Sequence, residues 1–294
     1  MITRVHTAHG MAAYRLEMGS ASFFIKAAPF ARGAALYGEA DGLKLLGRVQ
    51  ACRIPPVLYV GPSIHEAFRD AWTNVRLTPD DPMFQTLKDH VFLVLPWLEE
   101  RGAIDAAALK LGRCLAMLHQ AYEPQRRYGI DHSIALGAWL NAPGWGTDWV
   151  HYFGEQKMWP LIHALEQQGR LPLHRAKKLE TLLERLDQWL PHHPAASLLH
   201  GDLWSGNVLV TPDHEPYVID PASFYGDRVV DLAMMKLFGG FPEAVWQAYD
   251  ERYPLDAEDM IRLPVYQVYY LLVHLYLFGE SYGASIDRIL KRYV

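Results

Sequence analysis

A β-rich island at residues 197–225, set in a second half with mainly helical periodicity, is the feature that most constrains the fold. Two β-prone runs, within residues 198–210 and 217–222, flank a turn that contains proline and aspartate. If the runs pair antiparallel, residues whose numbers sum to about 427 face each other. Asn207 and Asp220 are therefore predicted to meet at the open end of a hairpin.

Asp202 lies five residues before Asn207, in a loop that enters the same end of the hairpin. The pattern predicts two carboxylates and one amide oxygen close together, and these are the hard oxygen ligands that suit Mg²⁺ beside phosphate groups. An aspartate, four residues, an asparagine, a hairpin and a second aspartate is the order of a kinase catalytic loop and metal loop. The structural alternative is that Asp202 and Asn207 form Asx turns and Asp220 ends a strand.

The first part of the chain is predicted to form a small sheet with one helix. The predicted strands are residues 13–17, 22–26, 57–60 and 91–95, and the predicted helix is residues 38–49. Lys26, on the second strand, is the candidate cation for the α- and β-phosphates of a nucleotide. Glu39 is its candidate ion-pair partner, although Asp41, or a helix-dipole role for Glu39, fits the sequence as well.

After residue 96 the pattern becomes helical, with Asp105 as a candidate N-cap for the first helix. Further helices are predicted at residues 148–168 and 173–190, and two or three more after residue 229. The sequence therefore predicts an α+β protein of two lobes. The N-lobe, residues 1–95, is small and β-rich, and the C-lobe, residues 96–294, is larger and mainly helical.

The segment that joins the lobes, residues 94–98, is predicted to face the adenine of a nucleotide. Pro96 has no N–H, so a backbone donor there must come from Trp97 or Leu98. The candidate phosphate loop, His9-Gly10-Met11, contains one glycine and lacks the permissive backbone of a multi-glycine loop. Its position before the first hairpin is the only feature that favours it.

The amino-acid composition restricts the kinds of molecule that the protein is expected to bind. With 28 Lys and Arg against 33 Asp and Glu, the net charge of −5 provides no electrostatic footprint for nucleic acid or an anionic membrane, which favours a small-molecule partner. Two cysteines, Cys52 and Cys114, exclude a disulfide framework or a four-thiolate zinc site. A reducing cytoplasm is expected, because the N-terminus has no signal-peptide core and the apolar residues 263–278 are too short to span a membrane comfortably.

The loop and hairpin that contain Asp202, Asn207 and Asp220 resemble those of the fructosamine kinase (ketosamine-3-kinase) family, within the protein-kinase-like superfamily of aminoglycoside and choline kinases. The resemblance is carried by His-Gly-Asp-Leu-Trp-Ser-Gly-Asn at residues 200–207 and by Asp-Pro-Ala-Ser-Phe-Tyr-Gly at residues 220–226. It continues through residues 231–233 and 237–242, and also through residues 141–153 and 266–282.

The resemblance implies ATP- and Mg²⁺-dependent phosphorylation of the sugar 3-hydroxyl of ketosamines, which are fructosamine or ribulosamine adducts of lysine or free amines. The implied result is deglycation, because the 3-phosphate is unstable. The implied roles are Asp202 as base, Asn207 and Asp220 as Mg²⁺ ligands, Lys26 and Glu39 as the phosphate-holding pair, Trp204 beside the sugar, and His200 and Asp231 as structural support. A monomer is expected.

Some features stay open or depart from the family. The phosphate loop lacks a cysteine, so no redox-sensitive disulfide is expected there, and the connection at residues 61–90, with a possible helix at 65–75, is longer than expected. Trp139, Trp145 and Trp149 could stack on a sugar or pack in the core. The pair His192-His193 is predicted to be a loop, not a metal site. The alternative functions are another small-molecule kinase of this fold, for an aminoglycoside, choline or methylthioribose, and a nucleotide-binding pseudoenzyme.

Overall fold

A computed structural model describes residues 2–8, 10–67 and 88–294. His9 of the candidate phosphate loop lies outside these residues, as does most of the predicted helix at residues 65–75. The described chain confirms the α+β class, with a strand-rich N-terminal lobe and a mainly helical C-terminal lobe.

The N-terminal lobe is built on an antiparallel five-stranded sheet of order β1-β2-β3-β5-β4. Its strands are β1 (Ile2–Ala8), β2 (Met11–Met18), β3 (Ala21–Pro29), β4 (Tyr59–Gly61) and β5 (His90–Pro96). The predicted hairpin is β2 and β3, joined through Gly19 at a φ of 61°. The edge strand β1 was not predicted, and β4 lies two residues later than its predicted start.

Helix α1 (Gly33–Val49) packs on the face of the sheet that looks toward the C-terminal lobe. It begins five residues before the predicted Gly38, after a 3-10 turn (Phe30–Arg32). Apolar residues four and three apart on α1 form one cluster with alternate residues of β5, namely Leu36, Ala40, Leu43, Val91, Leu93 and Leu95. This packing fixes the helix that carries Glu39 against the strands that carry Lys26. A short helix, α2 (Ile64–Ala67), follows β4.

The C-terminal lobe is mainly helical, with its short strands confined to two stretches, residues 128–146 and 197–226. They are α3 (Ile104–His119), α4 (Trp149–Tyr152), a π-helix (Phe153–Met158), α5 (Trp159–Gln167), α6 (Leu173–Glu184), α7 (Val229–Phe238), α8 (Glu243–Asp250), α9 (Ala257–Phe278) and α10 (Gly283–Tyr293). Asp105 lies in the first turn of α3 and does not cap it, since the N-cap position is Ala103. Asp148 does cap its helix, because its side chain accepts from the His151 N–H at 2.9 Å. The helix predicted at residues 173–190 ends six residues early, at Glu184.

The β-rich island forms the predicted hairpin from β11 (Val208–Val210) and β12 (Pro216–Val218). Val208 faces Val218, so the register differs by one residue from the predicted one, and Asn207 pairs with Ile219 through its carbonyl. Asp220 follows directly after this pair. The island also supplies β10 (Ser197–Leu199) and β13 (Phe224–Gly226), which join β6 (Tyr128–Ile130) and β9 (Gly144–Gly146) in a second sheet that was not predicted.

Two more short strands, β7 (Ile134–Leu136) and β8 (Trp139–Asn141), form a separate hairpin that packs near α1 and α9. Both cysteines are free and buried in one core cluster between α3, the β11–β12 hairpin and α8. Within the described residues, no helix is both long and apolar enough to cross a membrane.

Candidate active site

The loop that carries Asp202 is held by hydrogen bonds to its backbone. Gly201 has a φ of 83°, and a Cβ there would collide with the carbonyl oxygen of Ala222, so only glycine fits. The buried carboxylate of Asp231, on α7, accepts from the His200 N–H at 2.7 Å and from the Gly201 N–H at 2.8 Å. The Tyr270 hydroxyl donates to the Gly201 carbonyl at 2.8 Å. The backbone before Asp202 is thus fixed from both sides.

Two buried histidines extend this network. His119 Nε2 lies 3.1 Å from Asp231 Oδ2, and its Nδ1 lies 2.8 Å from the Tyr249 hydroxyl. His200 Nε2 donates to the Ile219 carbonyl at 2.9 Å and so connects the loop that carries Asp202 to the residue before Asp220. Burial lowers the pKa of His200 from its ordinary value. His200 and Asp231 therefore lie in one hydrogen-bond network beside Asp202, together with His119, which the sequence did not indicate.

Asp202 and Asn207 touch, as the spacing predicts. Asn207 Nδ2 donates to the Asp202 carbonyl at 2.8 Å and to Asp202 Oδ2 at 3.2 Å. Because both donations use the nitrogen, the amide oxygen of Asn207 is left for another partner. Burial, with the nearby charge of Asp220, raises the pKa of Asp202 to about 7.

Lys26 links the two lobes. Its Nζ lies 2.8 Å from Glu39 Oε1 and 2.7 Å from Asp220 Oδ1. Burial opposes the charge on Lys26, but the two carboxylates outweigh it and raise the pKa of the amine. Burial raises the pKa of Glu39 to about 7 against the attraction of Lys26. The predicted Lys26–Glu39 pair is present, whereas Asp41 instead approaches Lys44 at 3.4 Å.

Asp220 itself has a φ of 55°, which a non-glycine residue adopts at some cost. The turn directs its carboxylate toward Lys26 while the neighbouring backbone stays bound to the catalytic loop, since the Ala222 N–H donates to the His200 carbonyl at 2.9 Å.

The donor set at the end of the hairpin suits Mg²⁺. It combines the Asp220 carboxylate with the free amide oxygen of Asn207, both hard oxygen ligands. Among the residues described, no group of three or more His, Cys, Asp or Glu side chains could hold a metal alone. An ion here would therefore need further oxygen ligands, which the phosphates of a nucleotide provide.

In the segment that joins the lobes, residues 94–98, one of the two backbone N–H groups predicted to face adenine already has an acceptor. The Trp97 N–H donates to the Ser22 carbonyl at 3.0 Å, which extends the β3–β5 ladder and occupies that donor. The Leu98 N–H has no backbone acceptor among the described residues, but neither Trp97 nor Leu98 is among the described residues that line the cavity, so the adenine-facing role stays a prediction. The Trp97 side chain is also engaged, because the guanidinium of Arg15 lies 4.5 Å from the centre of its ring.

One cavity of about 520 Å³ brings most of the predicted residues together. Lys26, Glu39, Asp202, Trp204, Asn207 and Asp220 all line it. His6 and residues 11–13 border it from the N-terminal strands, close to Gly10 at a φ of 73°. The phosphate-loop prediction thus has the expected position, although His9 is not described.

The sequence analysis missed the aromatic wall of this cavity. The wall consists of Phe238, Tyr270, His274, Phe278 and Tyr282, and the exposed indole of Trp204 lines the same cavity. These five residues lie in the segments 237–242 and 266–282 that carry the family resemblance, but the sequence did not place them at the site. Tyr270, His274 and Phe278 recur every four residues on α9, and this periodicity is the signal that could have found them.

The comparisons with known proteins agree with this geometry. A family model described as fructosamine kinase matches residues 1–294. The chain belongs to the fructosamine kinase family. It is 34% identical over 283 residues to a probable ketoamine kinase of Lactiplantibacillus plantarum, covering 96% of this chain and 90% of that protein. It is 33% identical to the probable ketoamine kinase YniA of Escherichia coli K12, covering 95% of this chain and 89% of that protein.

Solved structures place this fructosamine kinase family member in the protein-kinase-like fold. A crystal structure from Haemophilus somnus, assigned as a fructosamine-3-kinase, matches with a TM-score of 0.83 at 24% identity over 100% of this chain and 91% of that one. One from Thermobifida fusca matches with 0.79 at 28% identity over 99% and 92%. The aminoglycoside phosphotransferase APH(4)-Ia matches with 0.64 at 16% identity over 99% and 94%, which shows the fold alone.

Trp139, Trp145 and Trp149 pack in the C-terminal lobe. Trp149 is buried and donates to the Tyr266 hydroxyl at 2.7 Å, and Trp139 is buried against Tyr276. Trp145 lies 4.3 Å from the guanidinium of Arg127. None of the three is among the described residues that line the cavity, so packing, not sugar stacking, accounts for them. His192 forms no metal cluster within the described chain and instead contacts Asp148 at 2.6 Å.

Proposed function

We propose that this protein is an ATP-dependent ketosamine kinase that transfers the γ-phosphoryl group to the 3-hydroxyl of a ketose bound to lysine or a free amine. The observation that carries the proposal is the meeting of Asp202, Asn207, Asp220 and Lys26 at one cavity that aromatic side chains also line. Membership in the fructosamine kinase family supports the acceptor class. The expected product is a 3-phosphate that eliminates and frees the amine.

Asp202 is the proposed base. Its carboxylate orients the 3-hydroxyl and accepts its proton as the hydroxyl oxygen bonds to the γ-phosphorus and the bond to the leaving oxygen of ADP breaks. A carboxyl with a pKa of about 7 is a stronger proton acceptor than an ordinary aspartate. Asn207 keeps this carboxylate in place through its Nδ2 donation.

Lys26, Asn207 and Asp220 are the proposed nucleotide-holding groups. Bound Mg²⁺ would offset the negative charge of the phosphates, with Asn207 and Asp220 as its protein ligands. Lys26 is the cation for the α- and β-phosphates, and Glu39 holds it from the side of α1. The fold can admit nucleotide and hydroxylated acceptor together, as in the complex of an APH(4)-Ia mutant with AMP-PNP and hygromycin B.

The test is ATP consumption by the purified chain with fructoselysine and ribuloselysine, beside kanamycin and choline. Phosphorylation of the ketosamines supports the proposal, and turnover of kanamycin or choline alone refutes it in favour of another small-molecule kinase. No turnover of any acceptor, with intact nucleotide binding, would indicate a pseudoenzyme.

Asp202→Asn should bind ATP but lose turnover by about 10³-fold, because the amide cannot accept the proton. The matched control is Asp213→Asn, which changes an exposed aspartate in the turn of the same hairpin and should leave kcat unchanged. Nucleotide affinity by calorimetry and kcat by coupled assay separate the two effects. Full turnover of the Asp202 variant would exclude its role as base.

A further inference from the structure

The C-terminal end of α9 carries most of the aromatic wall. Tyr270 and His274 lie in α9, Phe278 is its last residue, and Tyr282 lies in the 3-10 turn (Glu280–Tyr282) that follows. The centre of the His274 ring is 5.5 Å from that of Phe278 and 5.0 Å from that of Tyr282. The position of these rings therefore depends on how the end of α9 and the turn after it are held.

The turn itself has little hydrogen bonding to fix it. Gly279 ends α9 with a φ of 89°, a backbone conformation that favours glycine. The Tyr282 N–H then donates to the Gly279 carbonyl at 3.4 Å, which is a long hydrogen bond. Because 3-10 turns have poorer hydrogen-bond geometry than α-helices, contacts from other elements must hold this one in place.

The guanidinium of Arg175, in the first turn of α6, supplies such a contact. Its Nη1 and Nη2 donate to the two carboxylate oxygens of Glu280 at 3.0 and 2.7 Å. Its Nε and Nη2 donate to the two carboxylate oxygens of Asp287, on α10, at 2.9 Å each. Arg175 is 2% exposed, and bidentate pairs of this kind fix orientation as well as distance. One buried guanidinium thus connects α6 with both the turn and α10.

The contact between the guanidinium and the turn is close and charged. A Cβ on Gly283, the first residue of α10, would collide with Glu280 Oε1 and with Arg175 Nη2, so glycine is needed there. Hydrogen bonds from Arg175 lower the pKa of Glu280 and of Asp287, and both carboxyls are therefore ionised at pH 7.

A second arginine holds the helix before the turn. Nη1 of Arg170 donates to the Tyr276 carbonyl at 2.6 Å and to the Leu275 carbonyl at 3.4 Å, in the last turn of α9. A cation at this position also interacts favourably with the helix dipole. Residues 170–175 thus hold both the end of α9 and the turn beyond it.

The wall lies beside the proposed base. The Tyr270 hydroxyl donates to the carbonyl of Gly201, the residue before Asp202, and Trp204 lines the same cavity two residues after it. The acceptor hydroxyl has to reach Asp202, so the wall is the surface of the C-terminal lobe that the rest of the acceptor meets.

We propose that Arg175 is a positioning residue for acceptor binding, because through Glu280 it fixes the turn that places Tyr282 in the wall. Neither Arg175 nor any residue of α10 is among the described residues that line the cavity, so its effect on the acceptor passes through the turn. The inference rests on the proposed kinase activity, but it does not depend on which hydroxylated acceptor is used.

The two carboxylates on Arg175 provide a matched pair of variants. Glu280→Gln weakens the contact with the turn, and Asp287→Asn weakens the contact with α10. Glu280→Gln should raise KM for fructoselysine about fivefold, since ordering one loosened side chain on binding costs roughly that factor. Its kcat and its KM for ATP should not change.

Asp287→Asn should leave kcat and both KM values as in the wild type. Its loss of stability in urea unfolding should nevertheless be at least as large as that of Glu280→Gln, because the Asp287 side chain is 28% exposed and that of Glu280 is 63% exposed. Arg175→Lys, which cannot pair with both carboxylates in the same fork geometry, should reproduce the rise in KM for fructoselysine.

A double variant tests whether the effect passes through Tyr282. Tyr282→Ala alone should raise KM for fructoselysine, and adding Glu280→Gln should cause little further change, because the turn no longer carries the ring. The positioning role is overturned by a further fivefold rise in the double variant, by equal KM values for fructoselysine in folded Glu280→Gln and Asp287→Asn, or by a rise in KM for ATP.

The wild type separates this inference from the proposed function. If it phosphorylates kanamycin or choline and no ketosamine, the ketosamine assignment fails, and the same comparison with that acceptor still decides the role of Arg175. If it phosphorylates no acceptor, the proposed function and the positioning role fail together.

Discussion

Asp231 in α7 and Lys157 in the π-helix are both buried ionisable side chains, with 0% and 2% exposure, and their surroundings differ. The Asp231 carboxylate accepts from two backbone N–H groups of the catalytic loop and contacts His119. Lys157 has no hydrogen bond or ion pair with any described residue. Its Nζ lies 4.0 Å from the centre of the Phe224 ring and 5.8 Å from that of Tyr152.

The comparison distinguishes a buried charge that holds the backbone of the site in place, as Asp231 does, from a buried charge without such contacts, which lowers the stability of the fold. A buried ion whose polar atoms are all satisfied can hold neighbouring backbone in one geometry. Burial lowers the pKa of Lys157 to about 7, because its amine has no carboxylate partner among the described residues to offset the loss of water. Lys26 is intermediate, since its buried amine is paired with the carboxylates of Glu39 and Asp220.

Replacing Asp231 tests the buried carboxylate of this comparison. Its effect should be larger than those of the changes at Lys26, Lys157 and Tyr270. Asp231→Asn removes the charge and turns a donor toward groups that also donate, so we expect kcat to fall about 100-fold and stability to fall by about 3 kcal/mol. Kinetics and urea unfolding measure the two losses. Asp187→Asn, at an exposed position, is the control. Unchanged kcat in a folded Asp231 variant would show that the loop keeps its geometry unaided.

Lys26→Met tests the intermediate case. Removing the amine takes away the cation for the phosphates and leaves Glu39 and Asp220 facing each other, so kcat/KM for ATP should fall about 100-fold. The control is Lys44→Met on the exposed side of α1, which should change nothing measurable. If the Lys26 variant instead raised KM only for the ketosamine, the assignment of Lys26 to the nucleotide would be wrong.

The parts of the site that were predictable are those set by local sequence. The spacing of Asp202, Asn207 and Asp220 relies on one hairpin, whose register follows from a short turn, and the prediction was within one residue. The Lys26 hairpin likewise follows from alternation around a glycine turn. Because both hairpins are local, their geometry is carried by residues adjacent in the chain.

The features that the sequence did not predict depend on contacts between residues that lie far apart in the chain. The sheet that joins β6, β9, β10 and β13 consists of three-residue strands, too short to show alternation, and its pairing spans about a hundred residues. His119 reaches Asp231 across 112 positions. Gly38 and Gly42 of α1 lie close to Ser133 and Ser223, and no single segment of the sequence contains that information.

Lys157→Met tests the buried amine that has no carboxylate partner among the described residues. We expect it to stabilise the protein by about 2 kcal/mol at pH 7, because an apolar side chain of similar length removes the cost of a buried amine without a carboxylate. The sign of the pH dependence follows from the lowered pKa. Between about 7 and the ordinary 10.5, the unfolded chain binds a proton that the folded chain lacks, so wild-type stability rises with pH.

The advantage of Lys157→Met should therefore shrink between pH 7 and pH 10, as measured by urea unfolding at several pH values. Lys177→Met, on the exposed side of α6, serves as the control and should show no such trend. A destabilised Lys157 variant with a pH-independent difference would mean that the contact with Phe224 is worth more than the burial costs.

Tyr270→Phe should give the smallest effect and separates positioning from stability. The variant loses the hydrogen bond to the Gly201 carbonyl but keeps the ring, so about 1 kcal/mol of stability and a few-fold loss of kcat are expected. Tyr269→Phe is a close control, because its hydroxyl donates to Asn141 Oδ1 at the same 2.8 Å from the same helix but does not reach the catalytic loop. Both variants should lose similar stability in urea unfolding, and only Tyr270→Phe should lose kcat. Equal kcat in the two would mean that Asp231 alone is sufficient to fix the loop.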